Sequence, residues 1–332
     1  MFPFNVYMLA ILSAFALAFG TMPLWEKLCL RIGLMDDPGQ RKIHDRPVPL
    51  AGGLAVMTGL VVPTIVASLF LLLQGRLGKL AVLNPNSAFL LMHGLDRRHT
   101  ELIGILLGAL AMLVLGILDD KHELKPAMKF AGQFLIAFAV AACGVRITLF
   151  VPNPIFHYAV TILWILTIIN AFNFMDNMNG LCTGLGAIGS WYFAIIAAGD
   201  GQYLVTIVAF LTFGALLGFL PYNFPRARAF LGDAGSHLVG YLLAVLAILP
   251  HFYTVRHPRH WAVLIPLLVL GIPLLDIVRV VIVRWRLGKP FYHGDTNHLS
   301  HRLVQFGLPR STAVVVLWLA SALLASLALL LN

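Results

Sequence analysis

Most side chains of this 332-residue sequence that could do chemistry lie in a few short segments. Asp119 and Asp120 stand side by side where an apolar run ends. A helix C-terminus carries partial negative charge, so adjacent carboxylates there need a cation: a bound metal, or Lys121 and Lys125 nearby. Asn170, Asn173 and Asp176 recur every third residue and fall near one helical face. Such a polar face is costly at a bilayer edge without partners, and an Asn–Gly turn over Asn177 to Gly180 leaves Asn170 and Asn173 unexplained. Asp233 lies between Gly232 and Gly235 at the head of another apolar run. Free N–H groups there suit a phosphate and the carboxylate suits Mg²⁺; the alternative is a glycine turn with Asp233 as a plain N-cap.

Two further segments add cationic donors. Asp276 and Arg279 form an i, i+3 pair that reads as a mutual salt bridge, and His298, His301 and Arg302 follow. Lacking cysteine and rich acid content, that cluster suits phosphate better than zinc. Near the start, Asp36-Asp37-Pro38-Gly39-Gln40-Arg41-Lys42-Ile43-His44 leads into Arg46-Pro47-Val48-Pro49-Leu50-Ala51-Gly52-Gly53. Lys42 and His44 could donate to a phosphate from this irregular backbone; the alternative is a basic membrane anchor. Carboxylates, cationic donors and phosphate-binding backbone together suit Mg²⁺-assisted phosphoryl transfer. A P-loop ATPase is excluded, because no Gly-x-x-x-x-Gly-Lys-[Ser/Thr] segment exists.

The elements that must position these residues are membrane helices. Hydrophobic residues make up 60% of the chain and charged ones 11%, against roughly 25% charge in a soluble domain. Runs free of Asp, Glu, Lys and Arg cover 1–25, 47–75, 102–118, 130–145, 147–175, 177–199, 201–225, 234–255, 260–275 and 311–332. A spanning helix needs about 20 apolar residues, so the expected fold is an all-α polytopic membrane protein of about ten helices. No basic stretch precedes the first run, which is expected to be a retained helix. The loop 74–100 is long for an outward loop, with Asn84-Pro85-Asn86 as a turn. No linker divides the chain, so 1–332 reads as one transmembrane domain. Cys29, Cys143 and Cys182 are scattered and read as small core residues.

Loops are numbered by the helix they follow. Sixteen of the 23 Lys and Arg residues fall in odd-numbered loops or at the helix ends beside them. Those loops therefore face the cytoplasm, and with ten helices both termini lie outside. Eleven of the 14 acids share that face. Anionic lipid accounts for a basic excess, net charge +9, but not for gathered carboxylates, whereas a cation site does. Nucleic acid is not an expected partner, because the basic residues are divided among short loops.

Read in order, five motifs carry a resemblance. They are Asp-Asp-Pro-x-x-Arg-Lys-x-His-x-x-Pro-x-Pro-x-x-Gly-Gly, the Asp119-Asp120 pair, Asn-Ala-Phe-Asn-x-x-Asp from Asn170, Gly-Asp-x-Gly-Ser from Gly232, and Pro-Leu-Leu-Asp ending at Asp276 before a histidine loop. From about Asp36 to Arg310 the chain resembles the polyprenyl-phosphate N-acetylhexosamine-1-phosphate transferases, the family of WecA, TagO and MraY. The resemblance implies a UDP-N-acetylhexosamine donor, UDP-GlcNAc foremost, and undecaprenyl phosphate as acceptor, giving a lipid diphosphate sugar and UMP. It implies Mg²⁺, with Mn²⁺ able to substitute, held by Asp233 with Asp176 close by. Asp119 would act on the lipid phosphate as base or orienting group, with Asp120 beside it. Asn173 and Asn223 would help bind nucleotide or metal, and Phe230 would stack on uracil. Asn170, Asn179, Lys42, His44, His298, His301 and Arg302 complete the expected substrate contacts. The implied location is a bacterial inner membrane with the site on the cytoplasmic face, serving envelope polysaccharide synthesis, and there is room for a homodimer.

Two positions depart from the family pattern. Asn179 stands where Asp is common, and Ser300 replaces one histidine of His-x-His-His-Arg. On a helical turn from His298 to Arg302, Ser300 is expected to turn partly away, so that His there would be tolerated. The MraY-type histidine cluster followed by an acid is missing, which makes UDP-MurNAc-pentapeptide the second donor to consider. A transporter of anionic lipid is the alternative of a different class. Its ionisable residues would sit near the bilayer midplane, whereas the acids here collect at inner helix ends.

Overall fold

A computed structural model describes residues 4–37, 46–77, 85–250, 252, 260–290 and 296–331. The chain is almost wholly helical. Each apolar run becomes a helix: α1 (Phe4–Ile32), α2 (Gly52–Leu77), α3 (Pro85–His122), α4 (Pro126–Ala142), α5 (Pro154–Met175), α6 (Leu181–Gly199), α7 (Tyr203–Asn223) and α8 (Gly232–Leu246). After a 3₁₀ turn come α9 (Ile265–Val269), α10 (Gly271–Arg286), the short α11 (Leu299–Gln305) and α12 (Arg310–Leu329).

Among the described residues, seven helices are long and apolar enough to cross a membrane. The segments His260–Val269 and Gly271–Arg286 meet at 73° and make an eighth if counted as one broken span. The runs at 130–145 and 234–255 yield helices of only 17 and 15 residues. At 1.5 Å per residue these reach about 25 Å, short of a hydrocarbon core about 30 Å thick. Ten apolar runs are therefore fewer than ten full-length spans. A second difference concerns the segment before residue 100, expected to be a long loop. Pro85 opens α3, its fixed φ and missing N–H being suited to a first helical position, and a kink at Arg98 turns the helix into the bundle. Residues expected to form a loop from 85 onward are thus helical.

The centre of the bundle is α8, buried from Ala234 to Leu246 and packed against α3 and α5. The starts of α2 and α8 and the end of α3 converge because small residues let backbones touch. A Cβ on Gly116 would stand 2.3 Å from Ala234 Cα, and one on Gly53 would stand 2.7 Å from Gly235 N. A two-residue ribbon, β1 (Met35–Asp36) paired antiparallel with β2 (Val48–Pro49), brings the two flanks of residues 37–47 together at this junction. Phe230 extends it, donating its N–H to Pro49 O and accepting from Gly52 N. The packing that joins α2, α3 and α8 therefore gathers the sequence motifs at one end of the bundle.

Candidate active site

Asp120 is where that convergence becomes chemistry. Its two carboxylate oxygens accept the backbone N–H groups of Asp233 (2.8 Å) and Ala234 (3.0 Å), so it caps α8 from the end of α3. An anion suits a helix N-terminus, and here it also fixes where Asp233 begins its turn. Asp120, expected as a catalytic carboxylate, thus acts first by placing Asp233. Asp120→Ala would strand two N–H groups, at about 1–3 kcal/mol each. The expected result is a lower melting temperature together with lost activity, read by thermal unfolding in detergent.

Asp119, 7% exposed, turns the other way. One oxygen accepts Leu124 N at 3.0 Å and the other lies 2.7 Å from the Lys129 ammonium on α4. Lys129 also lies 3.2 Å from Asp233 Oδ2, so two carboxylates share one cation. The remaining oxygen of Asp233 accepts from Asn173 Nδ2, which donates to Ser236 Oγ as well. Asn173 and Asp233 thus meet side chain to side chain. Asn170 lies one layer back: its Nδ2 donates to Leu166 O (2.8 Å) and to Gln133 Oε1 (2.9 Å).

That orientation turns Gln133 Nε2 toward His237 Nε2 at 3.4 Å. The network therefore assigns the ring proton to Nδ1, a buried atom without a partner among the described residues. Asp119, Asp233 and His237 each bring one ligand atom within 4.8 Å of the others. The hydrogen-bond polarity makes the imidazole a poor ligand, whereas the two carboxylates are hard oxygen donors that fit Mg²⁺ or Mn²⁺ once the Lys129 ammonium yields. Asp176 lies outside this tight group, just past the end of α5. Burial raises its carboxyl to about 8, and the charges of Asp233, Asp120 and Asp36 add to the rise. It is near enough to couple to the centre electrically, and a cation there would favour its ionised form.

The other expected contacts are distributed as follows. Asn223 is buried, accepting Gly180 N and Thr183 Oγ1 and donating to Ala229 O, so its amide braces the junction of α6 and α7. Asn179 Nδ2 reaches Pro225 O at 3.3 Å. Phe230 is held by its backbone beside β2. His298 begins α11, and its ring meets Phe174, the neighbour of Asn173, edge-on at 5.7 Å. His301 lies on the same turn with its ring 6.2 Å from that of His298, and Arg302 is exposed. Lys42 and His44 lie outside the described residues.

Two expectations need correction. Asp276 pairs with His298, not with Arg279, whose guanidinium donates to Asn297 O. Ser300 is fully buried and donates to Asn177 Oδ1 at 2.6 Å. It does not turn outward, because α11 docks this face against the end of α5. Ser300→His would force a ring into a filled space, and the expected result is loss of most activity and a lower melting temperature, whereas Ser300→Ala should cost about 1–3 kcal/mol of stability.

Lys129 and His237 were not expected. Both could have been suspected: Lys129 lies one turn into the helix that follows the Asp119 turn, and His237 is four residues after Asp233 in an otherwise apolar helix.

A cavity of about 580 Å³ opens beside the centre. Asp119, Lys129, Asn173 and Asp233 line it, as do Leu163, Leu166, Ile277 and Val281. Leu163 lies ten residues before Asn173 on α5, about 15 Å along the helix, so the cavity grades from polar to apolar. An apolar groove of about 680 Å³ shares Leu163 and Leu166 and continues past Phe138 and Tyr158.

Known proteins resemble this chain closely enough to classify it. The sequence model of "Glycosyl transferase family 4" matches residues 102–251, which include Asp119, Asp176 and Asp233. The "Probable undecaprenyl-phosphate N-acetylglucosaminyl 1-phosphate transferase" of Bacillus subtilis is 31% identical over 324 residues, covering 94% of this chain and 82% of that protein. The "Decaprenyl-phosphate N-acetylglucosaminephosphotransferase" of Mycobacterium tuberculosis is 30% identical over 340 residues, covering 94% and 79%. The "Undecaprenyl-phosphate alpha-N-acetylglucosaminyl 1-phosphate transferase" of Escherichia coli is 29% identical over 320 residues, covering 92% and 78%. With a paired acid centre lining a cavity between apolar helices and these relatives along nearly its whole length, the chain belongs to glycosyl transferase family 4, among the polyprenyl-phosphate N-acetylhexosamine-1-phosphate transferases.

Proposed function

We propose that this protein transfers GlcNAc 1-phosphate from UDP-GlcNAc to undecaprenyl phosphate, releasing UMP, at the cytoplasmic face of a bacterial inner membrane. The observation that carries the reading is the cavity that holds Asp119, Lys129 and Asp233 and then grades into apolar Leu163 and Leu166. A polyprenyl phosphate has the same two-part character: an anionic head for the centre and an apolar chain for the groove.

In the reaction, an oxygen of the lipid phosphate attacks the β-phosphorus of the donor, and the bond to the UMP oxygen breaks. Asp119 orients the incoming phosphate, and the Lys129 ammonium offsets the repulsion between that anion and the carboxylates. Asp233, aimed by Asp120 and Asn173, faces the same space. Asp233 and Asp119 would hold Mg²⁺, which when bound supplies charge neutralisation at the diphosphate, with Mn²⁺ able to replace it. Asp176 supports that centre from the end of α5. His298, His301 and Arg302 are cationic or hydrogen-bonding groups on a helix docked beside Phe174, suited to the donor's sugar or phosphates.

The inward orientation of the site rests on the basic residues of the odd-numbered loops, and both termini lie outside if each of the ten apolar runs crosses the bilayer once. The short α8 then crosses within protein, where neighbouring helices make up the length, whereas the short α4 leaves Met128, Phe134, Leu135 and Phe138 exposed along one side.

Donor choice tests the reading. Purified protein with undecaprenyl phosphate should use UDP-GlcNAc, or a close epimer, in preference to UDP-MurNAc-pentapeptide when kcat/KM values are compared. Preference for the pentapeptide donor would replace this reading with its MraY-type neighbour. Release of no UMP from any UDP-sugar would return the transporter to consideration.

A further inference from the structure

The reading above uses His298 but gives no role to Asp276, the buried carboxylate it pairs with. Asp276 is fully buried on α10, and His298 is 4% exposed at the start of α11. Asp276 Oδ2 lies 2.7 Å from His298 Nδ1, and Asp276 Oδ1 accepts Leu299 N at 2.6 Å. A carboxylate can only accept, so the ring proton facing it must sit on Nδ1. His298 Nε2 has no partner among the described residues.

The same carboxylate caps α11 by taking its first N–H. Arg279, one turn further along α10, donates to Asn297 O and holds the residue before the histidine. On the opposite side Ser300 Oγ donates to Asn177 Oδ1, and Asn177 Nδ2 donates to Phe174 O at 2.6 Å. His298 is thus clamped between α10 and the end of α5. Phe174, whose ring meets that of His298, lines the acid cavity.

We infer that Asp276 is a positioning residue that fixes the proton of His298 on Nδ1 and so presents Nε2 to a ligand as an acceptor, or as a donor when the ring is charged. The chemistry recognised at Nε2 is that of a polar group on the donor substrate, either the acetamido N–H of the sugar, which Nε2 accepts, or a diphosphate oxygen, to which the charged ring donates. A carboxylate behind an imidazole fixes ring orientation and tautomer in other enzymes by the same logic. The inference rests on the proposed transferase reading for what the ligand is, but the tautomer itself does not.

Asp276→Asn separates positioning from mere support. Leu299 N–H can only donate, so the amide oxygen of Asn must remain on it and the cap survives. The amide nitrogen then faces His298 Nδ1 and donates to it, which moves the ring proton to Nε2. The fold is kept while the tautomer is reversed. In histidine-labelled protein, nitrogen NMR should show His298 protonated on Nδ1 in the wild type and on Nε2 in Asp276→Asn, with His298→Gln identifying the signal.

In the UMP-release assay, Asp276→Asn should lose about 100-fold or more in kcat/KM for UDP-GlcNAc at unchanged melting temperature. His298→Ala should lose a similar amount, and the double variant little more than either alone. UDP-glucose, which lacks the acetamido group, and free UMP distinguish sugar from phosphate contact. Loss of discrimination between UDP-GlcNAc and UDP-glucose in Asp276→Asn points to the sugar, and weakened UMP inhibition points to phosphate.

Wild-type activity in Asp276→Asn, or an Nδ1 proton retained in that variant, would overturn the inference. If wild-type protein itself released no UMP, the transferase reading would fail while the NMR result still decided the tautomer.

Discussion

Asp233→Asn is expected to leave a folded protein with at most about a thousandth of wild-type transfer, a loss of ~4 kcal/mol in transition-state stabilisation. The change is close to isosteric. The backbone N–H of residue 233 still reaches Asp120, and Asn173 can still donate to the remaining side-chain oxygen. What disappears is one of the two negative charges that share the Lys129 ammonium. Asp119→Asn should do nearly as much for the same reason, whereas Asp96→Asn, exposed on the kinked part of α3, should be close to silent. Activity at more than about a tenth of wild type in Asp233→Asn, an effect of only ~1.4 kcal/mol, would remove Asp233 from the cation site.

Lys129→Met should separate two quantities that usually move together. Lys129 is the resident cation between Asp119 and Asp233, so removing it leaves two carboxylates with more unbalanced negative charge. A divalent cation then meets less competition. Binding of Mn²⁺, followed by its EPR signal, should tighten by about tenfold, ~1.4 kcal/mol. Turnover should nevertheless fall by about 100-fold, because the incoming lipid phosphate loses the ammonium that offsets its repulsion from the centre. Weaker Mn²⁺ binding in this variant would mean that Lys129 helps to hold the ion. Unchanged turnover would mean that Lys129 only shields the acids in the resting protein.

Much of this arrangement was legible in the sequence, and the parts that were not share a cause. Apolar runs predict where helices form, because a backbone in hydrocarbon must satisfy its hydrogen bonds within the segment. They do not predict length, since a helix such as α8, enclosed by other helices, need not match the bilayer. Asp119, Asn173 and Asp233 could be grouped in advance because their types and motif context demanded partners. What each partner does depended on contacts far apart in the chain. Asp120 caps α8 across 113 residues, and Lys129 reaches Asp233 across 104. Ser300 illustrates the limit most plainly: helical periodicity gave it a direction relative to α11, but not which face α11 would dock. Asp276 and Arg279 had the spacing of a helical salt bridge, yet both side chains turn to the loop that follows, where His298 and Asn297 offered better-placed partners.

The transfer of a phosphorylated sugar, rather than of the sugar alone or of an intact lipid, is tested most directly by following the β-phosphate. Purified protein in lipid nanodiscs would be given undecaprenyl phosphate, Mg²⁺ and UDP-GlcNAc carrying radioactive phosphorus only in the β-position. The account predicts that the label enters the organic phase as lipid diphosphate GlcNAc, one for each unlabelled UMP released, and that both products vanish with Asp233→Asn. Label remaining in a soluble nucleotide diphosphate while GlcNAc reached the lipid, or no label reaching the lipid at all, would contradict it.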